Sequence, residues 1–300
     1  MLIDRKSGKP AAGQLGVVVS NVINLRAIAD NDSELVTQGL MGQPIVAEGG
    51  QKDWYYVQTW DTYRGWIPGH AIRLFDDHTS RYASRGAVAV IRELWVDIHE
   101  QPNERSAIMT KVTIGVELES TDSNSDWLEL RMPDLRTGYI RKHEARLMNR
   151  DMSSTIWLPD PDKIIETACR FIGVPYLWGG TSPFGIDCSG FVQLVHKLHG
   201  ITLLRDAGIQ AGDARCQPVA REDVRTGDLV FFGKGKEPDT SLVTHIGIAM
   251  DNDRFIHSGG GGGVQITRFD DPNSRYFNRY WGARRMRYDT LDAGGGAPED

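Results

Sequence analysis

The run Gly185-Ile186-Asp187-Cys188-Ser189-Gly190-Phe191 is followed downstream by Thr244-His245-Ile246-Gly247-Ile248 and then by Phe255-Ile256-His257-Ser258-Gly259. A cysteine set between an aspartate and a Ser-Gly step, opening an apolar-periodic segment, reads as a nucleophile at a helix N-terminus, where the helix dipole favours thiolate over thiol. Each later histidine is flanked by apolar, strand-like residues. One can supply a general base and the other a group that orients it, which is what an activated cysteine needs. The pattern predicts a cysteine peptidase or acyl-transfer enzyme.

Working outward, a helix is expected over 188–199, with Phe191, Val192, Val195 and Leu198 on one face and Gly200 as its stop. Upstream, Asp160 as N-cap and Pro161 at the first helical position predict a helix over 161–172. After Arg205-Asp206 an irregular stretch is expected up to Gly227-Asp228-Leu229-Val230-Phe231-Phe232. Strands follow at about 245–250, 254–257, 264–268 and 280–287. A few helices and then a meander of antiparallel strands is an α+β arrangement, placed at 151–290. The five glycines Gly259–Gly263 read as a hairpin loop or a mobile lip, and the tail 291–300 as disordered.

The first half is built differently. Residues 15–148 hold short β-branched and aromatic runs separated by turn signals such as Gly49-Gly50-Gln51-Lys52-Asp53 and Asp122-Ser123-Asn124-Ser125-Asp126. Shifting the chain by 73 positions places Ser33 on Ser106, Gly42 on Gly115, Trp54 on Trp127, Gly65 on Gly138, Ile67 on Ile140, His70 on His143 and Leu74 on Leu147. This marks a tandem duplication, with copies at 1–78 and 79–150. The copies disagree at Glu34, matched by Ala107, and at Tyr63, matched by Arg136. Drift on a solvated face accounts for such differences, and so does a function held by the first copy alone.

Composition narrows the function. With 40% hydrophobic and 25% charged residues, the chain is of the globular type. A net charge of -6 argues against nucleic acid and against anionic membrane surfaces. No run reaches the roughly 18 apolar residues of a membrane span. The start Met1-Leu2-Ile3-Asp4-Arg5-Lys6 lacks the apolar stretch of a signal peptide, so the cytoplasm is expected, or the periplasm or exterior if a leader was removed. The three cysteines suit a reducing compartment: Cys169 reads as a small core residue, Cys216 as inert in an irregular segment, and Cys188 as reactive. No metal site is expected, because neither Cys-x-x-Cys nor His-x-x-x-His spacing occurs. His70, His78, His99, His143, His196 and His199 are expected to be solvated.

Several motifs now stand in order: Tyr176-Leu177-Trp178-Gly179-Gly180, Asp187-Cys188-Ser189-Gly190, Gly227-Asp228-Leu229-Val230-Phe231-Phe232, His245-Ile246-Gly247-Ile248 and His257-Ser258-Gly259. The segment 160–288 resembles the NlpC family of papain-like cell-wall cysteine peptidases, and each copy of the repeat resembles a bacterial SH3-like domain. The resemblance implies a papain-like catalytic domain preceded by two small all-β barrels. It assigns Cys188 as nucleophile, His245 as general base, His257 as the residue that orients it, and Tyr176 as a donor to the oxyanion. No cofactor is implied.

The order of domains is similar to that of γ-D-glutamyl-L-diamino acid endopeptidases acting on free muropeptides. By that resemblance Asp206, Glu34 and Tyr63 bind the free amine of an N-terminal L-Ala, and Asp187, Ser189 and Trp178 line the γ-D-glutamyl position. A monomer acting on a small peptide is expected, with the second copy bracing the first against the catalytic domain. Two other functions stay open: a murein endopeptidase acting on polymeric wall, and a non-catalytic sensor of wall fragments. Of the aromatic set Tyr63, Trp66, Tyr176 and Trp178, Trp66 also fits barrel core.

Overall fold

A computed structural model describes residues 13–76, 81–121, 126–152, 159–235 and 237–287. His78, the turn at 122–125 and the tail 291–300 lie outside the described residues. Among the described residues, contacts group everything up to Asp151 together with Leu177–Ile186 in one compact unit. Met152–Tyr176 and the chain from Asp187 onward form a second.

In the first unit, seven strands make the first barrel: β1 (Gln14–Val18), β2 (Val22–Arg26), β3 (Leu35–Leu40), β4 (Pro44–Gln51), β5 (Trp54–Thr59), β6 (Arg64–Pro68) and β7 (Ile72–Leu74). The second barrel has β8 (Ala87–Ile91), β9 (Trp95–His99), β10 (Ile108–Thr113), β11 (Glu117–Thr121), β12 (Trp127–Arg131), β13 (Thr137–Arg141) and β14 (Ala145–Asn149). Their strand orders, β3-β2-β6-β5-β4-β1-β7 and β10-β9-β13-β12-β11-β8-β14, are the same order repeated. Each strand of the second barrel begins 73 residues after its counterpart in the first.

The repeated glycines have physical reasons. Gly42 and Gly115 both take left-handed backbone, φ 84° and 83°, which a side chain disfavours. At Gly65 a Cβ would lie 2.9 Å from the Val36 side chain, and at Gly138 2.3 Å from that of Ile98. The alternating strands turn Val18, Leu25, Ile45, Val57 and Ile67 into the core of the first barrel. Leu40 and Met41 of the first copy belong to the core of the second, beside Ile91, Val96, Ile98, Leu128 and Ile140. The Asn21 side chain also accepts from the Thr113 backbone N–H at 3.2 Å, and Arg73 donates to the Pro133 carbonyl at 2.6 Å. The two copies therefore share a core.

The same unit takes in a two-stranded hairpin, β15 (Thr181–Ser182) and β16 (Gly185–Ile186), from the midst of the catalytic motifs. It docks on β3. Gln38 Oε1 accepts from the Thr181 backbone N–H and from the Ser182 hydroxyl, both at 2.9 Å. Gly179, at φ 76°, lies where a Cβ would meet the Leu35 carbonyl at 2.5 Å. At the hairpin tip Phe184 meets Trp95 of the second barrel edge to face, with ring centroids 4.4 Å apart.

In the second unit, helices α1 (Pro161–Cys169), α2 (Cys188–Leu198) and α3 (Ala207–Ala211) accompany a six-stranded antiparallel sheet. Its strands are β17 (Cys216–Val219), β18 (Leu229–Gly233), β19 (Val243–Ala249), β20 (Arg254–Gly259), β21 (Gly263–Arg268) and β22 (Tyr280–Met286), in the order β17-β22-β18-β19-β20-β21. α2 packs on β19 and β20. Gly259 and Gly263 bound the β20–β21 hairpin, so the glycine run is its connection.

Several expectations are corrected here. α1 stops at Cys169, not 172; the chain turns through Gly173 at φ 88°, and Ile172 is exposed. The stretch expected to be irregular contains α3 and the edge strand β17. Cys216 therefore sits in a strand, its sulfur 3.9 Å from that of Met286. His196 is not solvated. α2 is buried on all sides from Cys188 to His196, and the His196 Nδ1 bonds the Val192 carbonyl at 2.8 Å. Burial lowers its pKa to about 4, so it is neutral. His199 pairs with the Thr167 hydroxyl at 2.8 Å.

Candidate active site

Cys188 is the first residue of α2. Asp187 caps the helix, accepting from the Gly190 N–H at 2.7 Å. The capping carboxylate is itself held by Arg205, a guanidinium 2% exposed that bonds Asp187 Oδ1 at 2.9 Å and Oδ2 at 2.5 Å. The same guanidinium donates to the Ser189 hydroxyl at 2.9 Å. Asp187 and Ser189, expected to line a substrate subsite, thus turn their side chains toward Arg205. A buried carboxylate is tolerated because the fork of an arginine matches it.

The thiol itself is buried, which pushes its pKa up to about 12, and the Asp187 charge adds to this. Backbone bonds from Ile246 and Ser189 and the charge of Arg205 act in the opposite sense. The N-terminal position predicted for Cys188 is observed, yet burial outweighs the pull toward thiolate.

His245 lies on β19, adjoining Ile246, whose backbone bonds the Cys188 sulfur. Its Nε2 is 2.9 Å from Nδ1 of His257 on β20. Gly247 makes the pairing possible: a Cβ there would stand 3.1 Å from that of His257. The Nε2 of His257 meets the Thr267 hydroxyl at 2.9 Å. His257 is wholly buried, and burial lowers it to about 4, so it serves as a neutral hydrogen-bonding partner. Burial, and then His257, lower His245 well below the usual histidine value.

Tyr176 is half-buried. Burial, then the charges of Cys188 and Asp187, raise its phenol to about 12 and keep it a hydrogen-bond donor. Asp206 stands at the N-cap of α3, exposed. In the barrel unit, Glu34 is exposed just before β3 and accepts from the Trp178 indole N–H at 3.0 Å. Tyr63 is half-buried at the β5–β6 turn, its backbone bonded to Thr59. A cavity of about 560 Å³ in that unit, lined by Arg73, Arg85, Arg131 and Phe75 among others, contains none of the predicted site residues.

Three residues that sequence reading missed complete the geometry of the second unit. Arg205 gives no signal because a lone Arg-Asp step after Leu203-Leu204 reads as a surface charge. Thr267 lies on a strand that was foreseen, but its role depends on register: it pairs with Phe255, two residues from His257. Tyr276 comes from the irregular run Asp271-Pro272-Asn273-Ser274-Arg275-Tyr276, which has no periodicity to read.

Residues 173–287 match the NlpC/P60 family, and residues 20–73 match the bacterial SH3 domain. A relative from Haemophilus influenzae is 37% identical over 123 residues, which span 40% of this chain and 71% of its own. The chain belongs to the NlpC/P60 family. As an NlpC/P60 cysteine peptidase it holds Cys188, His245 and His257 within the matched residues. A γ-D-glutamyl-L-lysine dipeptidyl-peptidase of Bacillus cereus is 28% identical over 268 residues, 85% of this chain and 76% of that one. The crystal structure of an NlpC/P60 family protein from Bacillus cereus shares the fold with a TM-score of 0.77 at 23% identity, covering 91% of this chain and 99% of that one.

Proposed function

We propose that this NlpC/P60 peptidase hydrolyses the γ-D-glutamyl-L-diamino acid bond of free muropeptides that carry an unblocked N-terminal L-Ala. The observation that carries the reading is the hydrogen-bonded pair His245–His257 together with a cysteine at a helix N-terminus whose sulfur bonds the backbone of Ile246, next to His245. The name of the Bacillus cereus relative, matched over both the barrels and the peptidase, supports the choice of bond.

In this mechanism Nδ1 of His245 takes the Cys188 proton as the sulfur attacks the γ-carbonyl carbon of D-Glu. The N–H of Cys188 and the Tyr176 hydroxyl face the oxyanion. One such donor is typically worth about 3–4 kcal/mol of transition-state stabilisation. His245 returns the proton to the departing amine and then activates water, which cleaves the thioester. Glu34, Tyr63 and Asp206 are the groups this reading assigns to the L-Ala ammonium.

Incubation with L-Ala-γ-D-Glu-meso-diaminopimelate, its N-acetylated form and intact sacculi, read by mass spectrometry, tests the proposal. Release of L-Ala-D-Glu from the free tripeptide alone is expected. Fragments released from sacculi would instead make the enzyme a wall hydrolase.

A further inference from the structure

The general base is buried and must become a cation during the reaction. Proton transfer breaks the Cys188 S–H bond, forms an N–H bond on Nδ1 of His245, and leaves a thiolate facing an imidazolium. The charges that bear on His245 are those of His257, Arg275 and Arg279, and each of them disfavours a positive imidazole. Arg279 is turned to the Thr244 hydroxyl at 3.1 Å, and the Arg275 guanidinium lies 5.4 Å from the Tyr276 ring centre. His257, the residue that orients the base, is neutral and brings no countercharge. Among the described residues, no carboxylate bears on His245 as a buried cation ordinarily needs.

What His245 has is an aromatic face. The Tyr276 ring stacks on His245 with centroids 4.4 Å apart and planes inclined by 21°. The same ring meets His257 edge to face at 4.8 Å and 77°. Phe232, opposite His245 in the β18–β19 register, lies farther off, at 6.1 Å and tilted by 52°. Tyr276 is only 6% exposed, in a core with Phe232 and Phe255. Its placement is also built in from the backbone side: a Cβ at Gly259 would come within 2.9 Å of the Tyr276 hydroxyl and 2.8 Å of the His257 ring.

We propose that Tyr276 is a positioning residue of the peptidase whose ring face holds the His245 imidazole and stabilises it as the imidazolium, in the place a carboxylate would otherwise take. A cation over an aromatic face is favoured by the ring quadrupole, and more strongly so where water is excluded. The ring, not the hydroxyl, carries the effect. Without it the thiolate–imidazolium pair forms less readily, so Cys188 ionises at higher pH.

The inference rests on Cys188 and His245 acting as a pair and not on the identity of the peptide, so the test needs no muropeptide. The rate of Cys188 alkylation by iodoacetamide is followed against pH for the full chain, for Tyr276→Phe, and for Tyr276 replaced by pentafluorophenylalanine, a ring of similar shape with an inverted quadrupole. Cys169 and Cys216 are replaced by serine throughout so that one thiol reports. Tyr276→Phe should keep the wild-type profile. The fluorinated ring should move the rising limb up by about one pH unit, a roughly tenfold slower alkylation at a fixed pH below it. Thermal melting confirms that both variants are folded. An unshifted limb for the fluorinated ring overturns the proposal, as does an equal shift for Tyr276→Phe, which would assign the effect to the hydroxyl.

Discussion

The first barrel and the second have the same strands in the same order and the same left-handed turns, but they treat one pair of positions differently. In the first, Gln38 on β3 donates to Asn24 on β2 at 3.0 Å, and its oxygen accepts from the hairpin Thr181–Ile186. At the equivalent positions of the second barrel, Lys111 on β10 forms an exposed ion pair with Asp97 on β9. An ammonium only donates, so Lys111, at the position of Gln38, offers no acceptor to a docking backbone N–H. A primary amide donates and accepts at once. The other differing positions tell the same story. Glu34 accepts from Trp178 where the second copy has Ala107, and Tyr63 is replaced by Arg136, which is tied to Asp134 at 2.8 Å. What the copies share is what barrel geometry demands; at Gln38 and Glu34, where they differ, the first copy meets the segment that carries the hairpin.

The sharpest way to break this comparison is reciprocal exchange. Glu34→Ala should lower kcat/KM for the free tripeptide by about a hundredfold or more, since removing one partner of a charged pair commonly costs 2–5 kcal/mol. Ala107→Glu should leave it unchanged, and steady-state kinetics on both variants decide the matter. Unchanged activity in Glu34→Ala would remove the proposed amine recognition.

Next in size, Gln38→Leu leaves the Thr181 N–H and the Ser182 hydroxyl without their acceptor. A loss of about 2–4 kcal/mol in urea unfolding is expected, whereas Lys111→Leu should cost less than about 1 kcal/mol because its ion pair is exposed. The shared glycines should respond in parallel. Gly138→Ala and Gly65→Ala should each lose about 1–3 kcal/mol, the former more because its Cβ meets Ile98 more closely. Removing the second barrel's own contact with the hairpin, by Trp95→Ala, should cost about 1 kcal/mol. The smallest change is expected at the paired turn residues Thr62 and Leu135, at φ 66° and 74°. Glycine at either should shift stability by less than about 1 kcal/mol, in the stabilising direction.

Much of this was legible in the sequence because the signals are local. A capped helix start writes itself as Asp160-Pro161 or Asp187-Cys188, and a duplicated barrel repeats its glycines and tryptophans at a fixed offset. Both histidines fell on strands because apolar residues flank them. What stayed hidden depends on partners far away in the chain. Arg205 looks like a surface charge until Asp187 is placed beside it, and His196 looks solvated until α2 proves buried all round. Tyr276 lies outside any strand, so no period announces that its ring will cover the general base. α3, five residues long, is too short to leave a pattern.

The hairpin Leu177–Ile186 has one more consequence. Its two ends are the peptide bonds to Tyr176 and Asp187, so the polypeptide leaves the peptidase, joins the barrels and returns immediately before the nucleophile. Cutting such a gene at the codon for residue 151 would not yield two independent modules, because the downstream piece would carry a strip of backbone whose acceptor, Gln38, is encoded upstream. Exchange of one barrel pair for another by recombination is therefore penalised. The interleaving acts as a lock on inheritance, holding barrels and peptidase together as a single evolutionary unit.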